Sequence, residues 1–143
     1  MIVILLAAML AQTTPPVVAN IPPLLGAIGT QSLPKTGCAA FLWSTTDRAL
    51  VAMAVADPAM LRLSIDGKTV DLARSAQQGA AGLGFGATTS YAADGITARL
   101  EMTIVPRENL ALGAQVPEAS LQVDRAGRDT IIAPVAGLVG CTT

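Results

Sequence analysis

The side chains able to move a proton are few, and their placement is the first guide to what the chain can do. Asp57, Asp66, Asp94 and Asp124 stand in turn-like sequence, while Asp71, Glu101 and Asp129 fall on or beside strand-forming runs. Carboxylates alone can perform acid and base steps, but these are spread along the chain with no spacing that predicts an inward-facing pair. They also form no DxDxD-like run of the kind that cages a hard cation. The chain has no histidine, the side chain whose unperturbed pKa lies nearest neutrality, so Ser-His-Asp, Cys-His and histidine-ligated metal centres are excluded. No catalytic, cofactor-binding or metal-ligating set is expected.

Two phosphate-loop lookalikes read as backbone devices. Gly79, Gly82, Gly84 and Gly86 follow a strand pattern but open no helix, lack the GxGxxG spacing and have no lysine in place. Gly67-Lys68-Thr69 resembles the end of a P-loop, but Arg62 stands where that motif needs its first glycine. Leu33-Pro34-Lys35-Thr36-Gly37 matches the LPxTG signal read by sortases, which works near a C-terminus ahead of an apolar stretch and a basic tail; here it precedes the folded region. Cys38 lies too far downstream of the apolar leader to be a lipidated cysteine.

Net charge is -1, from nine basic and ten acidic residues, so the basic footprint of a nucleic-acid binder is missing. Phe41, Trp43, Phe85 and Tyr91 are the only aromatic residues, too few for a stacking platform. The composition is 52% hydrophobic and 13% charged, against roughly 25% charged in ordinary domains. No apolar stretch reaches the ~20 residues that span a bilayer as a helix.

The elements that would position any site begin with an uninterrupted apolar run over residues 2–11, the length of a secretory h-region, although no Lys or Arg precedes it. Cleavage is expected after Ala19, where Val17 and Ala19 supply the small residues, with Ala11 as the alternative. The expected organisation is a signal peptide or apolar leader over residues 1–19, a Pro/Gly-rich linker over 20–36, and one β domain over 37–143. Two cysteines near the ends of that domain, in an exported chain, predict a Cys38–Cys141 disulfide.

Within the domain the strongest pattern is Leu61-Arg62-Leu63-Ser64-Ile65, Asp66-Gly67, Lys68-Thr69-Val70-Asp71-Leu72. A two-residue Asp-Gly loop is a favoured type I′ turn. It sets Ile65 against Lys68, Leu63 against Val70, Leu61 against Leu72, and Arg62 against Asp71 on the other face. Asp94-Gly95 repeats the device, pairing Ala93 with Ile96, Tyr91 with Ala98 and Thr89 with Leu100. The strand from Ile96 is expected to alternate as far as Ile104. Residues 38–44 and 50–56 read as an earlier hairpin, and 121–123 with 130–133 as a later one. Pro134 cannot donate to a ladder, so the last strand is expected to be an edge or bulged strand. The fold class is all-β, a small antiparallel sandwich or barrel of about eight short strands.

Residues 57–79 join a short strand, an Asp-Gly-Lys turn, a strand ending in Leu-Ala-Arg, and Ser-Ala-Gln-Gln-Gly. In this they resemble the core of the membrane-bound inhibitors of c-type lysozyme, small disulfide-linked envelope β-barrels. That family's serine-containing loop and its aromatic-rich strand with a lysine are not found here, and no functional residue carries over. The expected function is a non-catalytic exported binding module. The alternatives are an envelope inhibitor of a cell-wall hydrolase and a structural accessory subunit. Its binding surface is expected on a mobile 74–87 loop bearing Arg74, Gln77, Gln78 and Phe85, and its partner is expected to be an envelope protein or cell-wall component. Membrane contact is expected only through an uncleaved leader.

Overall fold

The computed structural model describes Ala11, residues 25–107 and residues 113–142; the leader over 2–11 and the cleavage point after Ala19 otherwise lie outside the described residues. Ten strands follow in order: β1 Leu25–Gly26, β2 Gly37–Ser44, β3 Leu50–Val55, β4 Met60–Ile65, β5 Lys68–Gln78, β6 Thr88–Ala93, β7 Ile96–Met102, β8 Val105–Pro106, β9 Gly113–Arg125 and β10 Ile131–Thr142. Among the described residues there is no helix.

Of the two architectures the sequence allows, the chain adopts the closed barrel. Strands β2 to β7, then β9 and β10, each pair antiparallel with the next, and β10 returns to pair with β2. This is an eight-strand up-and-down barrel. The two-residue strands β1 and β8 extend it, β1 on the end of β4 and β8 on the start of β9.

Both Asp-Gly hairpins have the register their turns require. Ile65 meets Lys68, Leu63 meets Val70 and Leu61 meets Leu72; Ala93 meets Ile96, Tyr91 meets Ala98 and Thr89 meets Leu100. Across the outer face the Arg62 guanidinium donates to both Asp71 oxygens, at 2.8 and 3.1 Å. The interior mixes small and large side chains. Ala40, Ala52, Ala54, Ala98 and Ala114 interleave with Leu42, Leu61, Leu63, Leu72, Leu100 and Leu121, all buried. Eight strands enclose only enough room for side chains, so this alternation fills the barrel with few aromatic residues.

The inward alternation of Leu121 and Val123 continues to Arg125, whose side chain is 11% exposed and pairs with Asp66 in the β4–β5 turn. In the strand order, β9 and β4 stand on opposite walls. Arg125 and Asp66 therefore tie the barrel across one mouth. The other mouth is covered by residues 79–87, which place Phe85 in the core.

Three sequence expectations change. Pro134 lies in β10, yet β10 is no edge, because it pairs with both β9 and β2. Its carbonyl faces the side where β2 has ended at Ser44, and Thr45 N–H and Oγ1–H both donate to it at 3.2 Å. The missing proline N–H would face the same side, past the end of the β2 ladder. Nor is β10 the bulged strand: at the next residues the register shifts between Val135 and Gly137, but the extra residue lies in β9. Strand β7 stops at Met102 and does not run through Ile104.

The stretch read as linker packs on the barrel from Leu25 onward. Ile28 is buried against Ala39, Met53 and Val55 on the outer wall, and its N–H donates to the Leu50 carbonyl at 2.9 Å. Arg62 donates to Gln31 at 2.8 Å, and the Thr142 hydroxyl to the Pro34 carbonyl at 2.8 Å.

Candidate functional site

A convex barrel wall offers few concave places, and here the concavity arises where β9 bulges. Ala119 pairs with Val135 and Val116 with Gly137, so Pro117 and Glu118 stand opposite Ala136 alone. Proline cannot complete a ladder, and bulges bend the strand that carries them. On its other side β9 loses β7 at Met102 and gains β8 at Val105, with one 3.4 Å bond from Thr103 N–H to the Glu118 carbonyl in the gap.

An open groove of about 720 Å³ occupies this break. Its polar lining comprises Thr45, Thr88, Thr103, Ser120, Glu101 and Glu118; Pro117, Pro134, Ala87 and Ala119 give it apolar surface, and the core residues Met102 and Val135 lie beneath its floor. A smaller cleft of about 130 Å³ adjoins it through Thr88 and is lined by Ala76, Gln77, Gln78, Ser90 and Arg99 as well.

The register explains why these side chains share one surface. Gln78 pairs with Thr88, Thr88 with Glu101, Glu101 with Ser120, and Ser120 with Pro134. Directly paired residues point to the same side of a sheet, so the five form one outward row across β5, β6, β7, β9 and β10, and Thr45 caps its end. At about 4.8 Å between strands the row is about 19 Å long. In the neighbouring row Arg99 pairs with Ser90 and Gln122, and its Nη2 meets Glu101 Oε1 at 2.7 Å. At the far end of β9 the Asp124 carboxyl, accepting bonds from Thr130 and Gln122, is held below the usual carboxylate range.

The candidate loop residues separate. Residues 74–78 continue β5, and only 79–87 form a loop. Gln78 joins the row and Gln77 lines the smaller cleft. Arg74 turns to Gln77, donating from Nη1 at 2.8 Å. Phe85 is core, 5% exposed, so its ring is spent on closing the barrel and offers no contact surface. Cys38 and Cys141 are direct partners in the β2–β10 ladder and are disulfide-bonded, a linkage that belongs to oxidising surroundings. Glu118 and the groove were missed by sequence reasoning; Pro117 within a strand was the signal that could have marked the bulge.

A second surface feature lies on the β2–β10 wall. Trp43 and Leu138 are exposed there, together with Leu33 from the segment that crosses Gly140; Ile132, also exposed, lies past the end of β2 beside Gln122. Strand β10 carries no charged residue.

Comparison of the chain with protein-family models, with curated proteins and with solved structures finds no match. The likeness to lysozyme inhibitors therefore rests on residues 57–79 alone.

Proposed function

We propose that this protein is a non-catalytic binding module, exported to the periplasm or beyond, whose partner docks in the groove at the β9 bulge. The observation that carries the reading is the row Gln78, Thr88, Glu101, Ser120, which presents an amide, hydroxyls and a carboxylate at strand spacing beside the concavity. Glu101 and Glu118 stand exposed, the first beside Arg99, a setting that suits ion pairing with a ligand better than proton transfer. The apolar run over residues 2–11 and the disulfide support export.

The test is capture from a bacterial envelope extract by the oxidised full-length chain and by a Ser120→Trp variant that fills the groove, with peptidoglycan and a cell-wall hydrolase as separate baits. A partner held by the wild type and released by the variant is the expected result, and hydrolase capture would make the module an inhibitor. Equal retention by both proteins overturns the groove as the docking site.

The apolar β2–β10 wall favours a second reading, a structural accessory subunit. Exposed Trp43 and Leu138 on one uncharged wall are the kind of patch that marks protein contact. Light scattering across a concentration series tests it: self-association abolished by Trp43→Gln with Leu138→Gln supports the reading, and a monomer at every concentration removes its self-associating form.

A further inference from the structure

We infer that the groove takes an extended polypeptide segment carrying a lysine or arginine side chain. The inference rests on the proposed docking site and names the ligand class. Charge gives the first argument. The groove lining contains two carboxylates, Glu101 and Glu118, and no cation. Arg99 engages one Glu101 oxygen from the neighbouring row, whereas Glu118 makes no ion pair among the described residues. An acidic ligand would meet like charge there, and a cationic side chain would meet opposite charge; matching of this kind sets partner choice.

Shape and lining give the second. The apolar surface of Pro117 and Pro134, with Ala87 and Ala119 half-exposed between them and the carboxylates, suits a side chain with an aliphatic stem and a charged head, the build of Lys and Arg. Hydroxyls both donate and accept, so Thr88, Thr103 and Ser120 can serve either group of a peptide main chain laid along the row. No aromatic residue lines the groove, and sugars and bases lack the ring on which they would stack. The occupant is accordingly a peptide segment and not a glycan or a nucleic acid.

The experiment uses the oxidised full-length chain, labelled with nitrogen-15, titrated with three blocked hexapeptides: alternating Lys-Val, alternating Glu-Val and alternating Ser-Val. The Lys-Val peptide is expected to shift the amide resonances of Thr88, Glu101, Thr103, Glu118 and Ser120, and to bind more weakly as salt rises. Glu101→Gln with Glu118→Gln, both at exposed positions, is expected to weaken it by about two- to twentyfold. Equal shifts of those resonances by the Glu-Val or Ser-Val peptide would overturn the cationic class while leaving the docking site standing. No shift at those residues with any peptide at millimolar concentration would overturn both.

Discussion

Tyr91 is the chain's only tyrosine, and it points into the barrel at 2% exposure. Removing water from around a phenolate disfavours ionisation, and this burial holds the Tyr91 pKa above the ordinary value; the Thr89 hydroxyl and the Arg74 charge pull it down without cancelling the rise. Because the folded value lies above the unfolded one, the associated stability is present below about pH 10 and is lost as pH rises through the folded value. Phenolate absorbance should therefore appear late in an alkaline titration, and Tyr91→Phe should remove that part of the alkaline loss of stability. A normal tyrosine titration in the native protein would mean that the ring is hydrated. Two glycines give a matching contrast in the backbone. A Cβ on Gly137 would lie 1.8 Å from the Phe41 carbonyl oxygen, in a ladder that cannot part without opening the barrel. On Gly67 a Cβ would meet nothing, and only its φ of +79° resists. Urea denaturation should show Gly137→Ala costing about 3 kcal/mol or more and Gly67→Ala about 1 kcal/mol.

At the scale of elements, the β4–β5 turn has a task beyond reversing the chain, since Asp66 reaches across the mouth to Arg125. Asp66→Asn preserves a residue tolerant of positive φ but leaves an inward guanidinium whose Nε already lacks a partner. Its expected cost is about 1–2 kcal/mol, held down by the half-exposed position of Asp66. Asp71→Asn, which removes the exposed partner of Arg62, should cost less than about 1 kcal/mol. Denaturation of both variants, with Arg125→Met completing a cycle for the first, separates the two. The sequence made these hairpins legible because a two-residue Asp-Gly turn admits one register, and alternation then fixes the inward face. Barrel closure was not legible in the same way. Cysteines at 38 and 141 predict a bridge, but such a bridge can join two sheets of a sandwich as readily as neighbouring strands of a barrel. Pairing of β10 with β2 has no local signal, and Pro134 argued against it because a missing N–H matters only where a partner strand is present. The candidate site was half legible. Outward-facing Glu101 follows from the strand pattern, and Gln78 is singled out, but on a loop where β5 in fact continues, whereas the groove exists because Pro117 and Glu118 oppose one residue, an insertion of one residue in β9 that shifts the register of everything before it.

At the scale of the whole molecule, one set of contacts decides whether the chain is a barrel or an open sheet. Each pairing from β2 to β7 and from β9 to β10 joins sequence neighbours, and β7–β9 spans only a short connection, whereas β10–β2 joins the two ends of the domain, with the bridged cysteines 103 residues apart. Loop closure over such a distance is costly to the free chain, and the disulfide removes that cost from the unfolded state. The chain-entropy account gives about 4.7 kcal/mol for a loop of about 100 residues, against a total stability of about 5–15 kcal/mol for ordinary domains. Reduction, or Cys38→Ser with Cys141→Ser, should therefore lower stability by as much as about 4.7 kcal/mol. The loss should also be uneven. Without the bridge, opening of β2 from β10 exposes two strand edges beside the apolar Trp43 and Leu138 wall, and unpaired edges promote association. Hydrogen exchange followed by mass spectrometry should find amides of β2 and β10 losing protection first on reduction, with the β4–β5 and β6–β7 hairpins last, and aggregation should accompany the change. A uniform loss of protection over all eight barrel strands would instead mean that closure and hairpin formation are one cooperative event, with the disulfide stabilising the barrel as a single unit.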